Sequence, residues 1–181
     1  MSRVASIVVL VALWLVSAAA ANAASAREID IKAQATLKLF VDQVPGGDDF
    51  LRKAEGILVF PSVLKAGFMV GGEYGEGALI VDNRTVDYYS TAGASLGLQV
   101  GVQSKAVVLL FMTREALERF RASDGWEAGV DGSVAVVEWG AGKAINSTNL
   151  HQPIVGFLFD NKGLMLNLTL EGSKFTRIDR N

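Results

Sequence analysis

Few residues in this chain could carry chemistry. Its 181 residues include no cysteine and one histidine, so thiol nucleophiles, Cys–His pairs and cysteine-held metals are excluded by composition. The histidine, His151, precedes Gln152-Pro153 in a polar loop. It has no second histidine with which to share a metal, and no serine stands in a nucleophile-elbow sequence. A hydrolase built on a Ser-His-Asp triad at His151 therefore ranks last among the functional readings. Carboxylates come next. Glu73 and Glu76 flank Tyr74-Gly75 at an expected turn, and Asp124, Glu127 and Asp131 cluster around the stretch from Gly125 to Gly132. Paired carboxylates can do acid/base work or hold calcium, but the alternating Asp/Asn calcium loop is absent, so both groups read as solvated turns. The Gly71–Gly77 segment carries its own negative charge and lacks the Lys-Ser/Thr ending of a phosphate loop. No metal or cofactor is implied.

Basic residues are the better lead. Lys65 interrupts an apolar segment, Lys162 sits at a turn, and Lys174 and Arg177 are expected beyond the last strand, with Lys53 nearer the amino end. Scattered on a wet surface they would do nothing, with Lys65 laying its stem over the core. Gathered beside apolar surface they would attract anionic head groups.

These side chains have to be positioned by what surrounds them. The first residues read as a processing signal: Arg3, an apolar run from Val4 to Val16 broken by Ser6, then small residues to Ala24. Ala21-Asn22-Ala23 fits the A-x-A rule and places the cut after Ala23. An uncleaved anchor is the rival reading, but Val4–Ala24 is barely long enough to span and ends in alanines. Without cysteine the leader is not a lipoprotein signal, so the product is expected to be exported, periplasmic or secreted. The leader contains one charge, Arg3, which leaves 16 Lys+Arg against 19 Asp+Glu in residues 24–181, a net charge of −3. That balance gives nucleic-acid binding no support.

Ser25–Val44 has helical spacing at Ile29, Ala33, Leu37 and Phe40, with Ser25 as cap and Glu28 three residues on. Pro45-Gly46-Gly47 stops it, and Asp48 can cap a short helix to Ala54. Strands are expected near 57–60, 66–73, 76–82, 85–90, 93–102 and 105–112, then 132–139, 153–159 and 163–170. Thr113 caps one inserted helix between the two sets. Asp82-Asn83-Arg84 and Asp160-Asn161-Lys162-Gly163 are tight-turn signals. All 19 glycines fall after the leader, and glycine kinks are how sheets bend towards closure. The expected fold is α+β: a strongly curved, barrel-like antiparallel sheet with N-terminal helices and one inserted helix, in a single domain over 24–181.

Six blocks, in order, resemble the SYLF-domain family and its bacterial exported branch. They are Pro45-Gly46-Gly47, Gly56-Ile57-Leu58-Val59-Phe60-Pro61, Lys65-Ala66-Gly67-Phe68, Tyr74-Gly75-Glu76-Gly77, Gly125-Trp126-Glu127-Ala128-Gly129, and Gly163-Leu164-Met165 through Leu170-Glu171-Gly172-Ser173. The resemblance implies phospholipid binding, often of phosphoinositides, through an amphipathic N-terminal helix and basic surface. Lys65 matches the lysine of the KAGF block. Ser25–Val44 occupies the helix position, yet it balances Arg27, Lys32 and Lys38 against Glu28, Asp30 and Asp42. The leading expectation is thus a non-enzymatic exported domain that binds phospholipid at a membrane surface through Lys65, Phe68, Lys162, Lys174 and Arg177. An envelope protein partner pairing with a sheet edge is the runner-up, and actin is set aside for a bacterial exported homologue.

Overall fold

The computed structural model describes residues 24–137, 152–160, 163–164 and 170–180. The expected leader, the polar loop around His151 and most of the expected strand at 163–170 lie outside the described residues. Helix α1 (Ala26–Gln43) begins where the cap pattern places it, with the Ser25 hydroxyl accepting from the Glu28 amide at 3.2 Å. Helix α2 (Gly47–Lys53) starts from Gly46 in a left-handed conformation (φ 76°) rather than from an Asp48 cap, so Asp48 and Asp49 lie in its first turn and pair with Arg52.

Two long strands dominate the sheet: β1 (Gly56–Val81, 26 residues) and β2 (Arg84–Phe111, 28 residues), paired antiparallel along nearly their whole length. The sequence pattern predicts six short strands here, joined by short turns. The structure keeps one turn, Asp82-Asn83, both residues at positive φ as a two-residue hairpin loop requires. The two strands run on through the other expected breaks. At roughly 3.3 Å per residue a straight strand of this length would run about 80 Å, so the hairpin has to curl. Register shifts mark three bends, between Phe60 and Val63, Gly67 and Met69, and Leu79 and Ile80. Pro61 falls in the first, where its missing N–H costs the ladder nothing.

Helix α3 (Arg114–Ala122) comes next, capped by Thr113, whose hydroxyl accepts from the Ala116 amide at 3.3 Å. Thr113→Ala is expected to cost about 1 kcal/mol, measurable as a shift in urea midpoint. Beyond it lie β3 (Trp126–Glu127), β4 (Ala135–Val137), β5 (Ile154–Asp160), β6 (Gly163–Leu164) and β7 (Lys174–Ile178). Seven strands are described in one sheet, ordered β3-β7-β2-β5-β4, with β1 on β2 and β6 on β5. β7 and β5 both pair with β2, at Tyr88–Ala92 and Ala106–Phe111. The antiparallel expectation holds for all described strand pairs but β4–β5, which is parallel. β5 and β6 meet through Asp160 and Gly163, as the hairpin signal predicts.

Alternation then splits the core in two. Leu58, Phe60, Leu79, Tyr89, Val107, Leu109 and Phe111 face into the curl, against Phe120 of α3. Phe120 meets Tyr89 and Phe111 at ring distances of 4.9 and 4.8 Å. Val59, Ala78, Ile80, Val108 and Leu110 face outward, under Ile29, Ala33 and Phe40 of α1 and Phe50 of α2. Both faces of the central hairpin are therefore covered, which is why its apolar runs read as continuous rather than alternating. Where the hairpin folds over, β1 packs on itself. A Cβ at Gly77 would collide with the Val59 carbonyl oxygen and lie 2.7 Å from the Phe60 ring; one at Gly75 would lie 2.8 Å from the Ser62 carbonyl oxygen.

Candidate functional site

The expected lipid-binding residues do not gather on one surface among the described residues. Lys65 sits mid-way along β1 opposite Gln103, half-buried, with no ion pair among the described residues. Its strand neighbour Leu64 is 52% exposed. Phe68 belongs to β1 by its backbone, but its side chain lies outside what is described; Lys162 and His151 lie outside the described residues altogether. Lys174 and Arg177 are not beyond the last strand: they are in β7, and three residues apart they point to opposite faces. Lys174 is exposed, between Ala92 of β2 and Glu127 of β3. Arg177 shares the Tyr89 side, where it donates to the Arg121 carbonyl at 3.1 Å and lies 3.7 Å from Asp87, itself 3.2 Å from Arg121. Burial in the same aromatic cluster pushes the Tyr89 phenol above its ordinary value. Arg177 is thus tied into the rim of the core. Lys53 closes α2.

The carboxylates depart furthest from expectation. Glu73 and Glu76 are not at a turn and not solvated. Both lie within β1, again three residues apart, so each serves a different face. Glu73 points into the curl, its side chain 10% exposed, and accepts from Lys105 Nζ at 2.9 Å and from the Ser173 hydroxyl at 3.2 Å. Lys105 is equally covered, at 9%. A buried carboxylate needs a cation and a further donor to offset lost hydration, and Lys105 and Ser173 supply them from β2 and from the segment before β7. Glu76 points outward and accepts from Arg180, from the Tyr74 hydroxyl at 2.8 Å and from the Ala24 backbone N–H at 3.2 Å. Burial, then this bond to Glu76, raises the Tyr74 pKa. On α1, Asp30 accepts from Thr85 at 2.8 Å and Tyr88 at 3.0 Å, fastening the helix to the hairpin. Asp131 accepts from the Glu127 amide at 2.7 Å and closes a turn. Among the described residues no group of three or more His, Asp or Glu could hold a metal ion.

Lys105, Ser173 and Arg180 escape sequence reasoning. The available signal for Lys105 is a lone lysine two residues before the run Val107–Phe111; nothing local links it to a glutamate 32 residues earlier. A cleft of about 640 Å³ also opens between α1, α2 and the hairpin turn, lined by apolar Leu37, Leu51 and Ile57 and by both basic Lys38 and Arg52 and acidic Asp48. Among the described residues no helix is long and apolar enough to cross a membrane.

A family model described as Ysc84, Las17-binding protein actin regulator, matches residues 92–181. That stretch runs from within β2 through β7 and so contains Lys105, Ser173 and Arg180, the partners of both covered glutamates. The match supports the SYLF resemblance over that part of the chain. Curated relatives include LAS seventeen-binding protein 3 of Saccharomyces cerevisiae, from strains YJM789 and ATCC 204508 / S288c. Each is 28% identical over 156 residues, covering 78% of this chain and 34% of the yeast protein. The chain therefore spans about a third of the length of those relatives. They are yeast proteins, and they lend the bacterial exported branch no support.

Proposed function

We propose that this chain is an exported, non-enzymatic domain that binds phospholipid, in the periplasm or outside the cell. The family match supports the lipid class of ligand, and the Arg3–Ala23 leader pattern supports export. The observation that carries the reading is Lys65: the lysine of the family-like block stands half-buried on a strand, with no carboxylate partner among the described residues. An unpaired cation supplies the electrostatic one of the two cooperating terms that weak membrane binding needs, and the apolar one is assigned to Phe68 of the same block.

Flotation of residues 24–181 with neutral and anionic vesicles at two salt concentrations tests this. Binding to anionic vesicles that weakens with salt is expected, and Lys65→Gln should lower it roughly fivefold, the equivalent of about 1 kcal/mol for one basic residue near the surface. Folded protein that floats with neither vesicle type sinks the reading.

A protein partner is the second reading. Two observations favour it: the matched relatives are named for binding Las17, and β1 pairs with β2 alone among the described strands, leaving an edge that another chain could extend. Stoichiometric crosslinking to a protein, without lipid, would decide for it.

A further inference from the structure

We propose that Glu76 is a socket for the amino terminus created by cleavage after Ala23, so that processing adds an ion pair that locks α1 onto the sheet. The inference rests on the export reading above and goes beyond it. The nitrogen of Ala24 lies 3.2 Å from Glu76 Oε2, across 52 residues of sequence. In the uncut chain this atom is a peptide N–H. Hydrolysis of the Ala23–Ala24 bond adds water across it, leaving a carboxylate on Ala23 and an ammonium at the same position on Ala24, now with three donors and a unit charge.

The surroundings suit an ammonium. The Glu76 side chain is 12% exposed and is held in place by Arg180 and by the Tyr74 hydroxyl at 2.8 Å, both on Oε1, leaving Oε2 to Ala24. Arg180 is itself 18% exposed, so water screens the group weakly. Ala24 packs against the cluster that includes Ile29 and Phe40 of α1, and Ser25, its neighbour, is the α1 cap. Tethering Ala24 therefore fixes the first turn of the helix. The charged groups facing the new terminus are Glu76 and Arg180, with the Tyr74 phenol, raised by burial and by Glu76, staying neutral. One carboxylate shared by two cations attracts the ammonium less than a private one would, and the low exposure that strengthens the attraction also removes hydration from the charge.

Free-amine and N-acetylated forms of residues 24–181, each with and without Glu76→Gln, test this. Acetylation keeps the N–H donor and removes only the charge. It should lower Tm at pH 7 by about 2–4 °C in the native sequence and leave the Glu76→Gln protein unmoved. Equal Tm for amine and acetyl forms overturns the socket, as does an acetylation effect that persists in Glu76→Gln. Should Glu76→Gln fail to fold, the unaltered protein still decides. Its α-amine should react with an amine acylating reagent at pH 7 at least severalfold more slowly than that of the unfolded chain, and equal rates overturn the proposal. Mass spectrometry of the exported product separates this inference from the one beneath it. An uncut terminus at Met1 overturns both, whereas a cut elsewhere, or Ala24 with no acetylation effect, overturns the socket alone.

Discussion

Gly77→Ala is expected to destabilise this protein by about 3 kcal/mol or more. The new Cβ would strike the Val59 carbonyl oxygen and come within 2.9 Å of its carbonyl carbon. Those are backbone atoms of Val59, itself fully buried, so no side-chain rotation relieves the clash. Overpacking in a well-filled core costs about 1–3 kcal/mol when side chains can give, and more when the backbone must move. The contact is between two parts of one strand, so separating them opens the curl and loosens Phe60 from the Leu79 and Phe175 side. Urea unfolding of native and Gly77→Ala proteins measures it. Gly72→Ala is the control, since its Cβ would meet nothing closer than the Gly93 carbonyl oxygen at 3.9 Å. Equal loss in both would show that strand propensity, not close approach, accounts for Gly77.

Lys105→Met is expected to cost about 3–5 kcal/mol, because it leaves Glu73 charged and covered without its cation. The Ser173 hydroxyl donates to the same carboxylate at 3.2 Å but brings no charge. Adding Glu73→Gln to Lys105→Met should recover most of that loss, since an amide retains an acceptor for Ser173 and needs no counter-ion. The sign of the coupling is the diagnostic: the double variant should be more stable than Lys105→Met alone. A Lys105→Met variant within about 0.5 kcal/mol of the native protein would mean that water reaches the pair and hydrates Glu73.

Both predictions concern residues that the sequence displays and cannot interpret. Gly75 and Gly77 bracket Glu76, and glycine beside carboxylate is what a solvated turn looks like. The same letters serve a strand whose two ends must touch, because only the absence of a Cβ lets one backbone lie on another. Glu73 and Glu76 then take opposite faces through the two-residue period of a strand, one buried against Lys105 and Ser173, the other against Arg180 and Ala24. The turn reading therefore fails on both carboxylates for one cause. Lys174 and Arg177 escape for a different one. The KFTRI segment is short and comes after Gly172 at positive φ, and it becomes a strand because Tyr88–Ala92 offers it a partner.

Local signals suffice where local physics decides. Ser25 and Thr113 announce α1 and α3 because a hydroxyl before an amphipathic run satisfies orphan amides wherever it occurs. Asp82-Asn83 announces its hairpin because two residues tolerant of left-handed backbone are what that loop demands. Composition alone removed thiol chemistry and cysteine-held metals, and ordered blocks of glycine and aromatic residues carried the SYLF resemblance that residues 92–181 bear out. What the tertiary structure decided was how far each strand continues through its glycines, which side chains alternate inward, and which distant cation meets each glutamate. Those are matters of non-local pairing, where a partner tens of residues away fixes a conformation and a charge environment that neighbours in sequence do not encode.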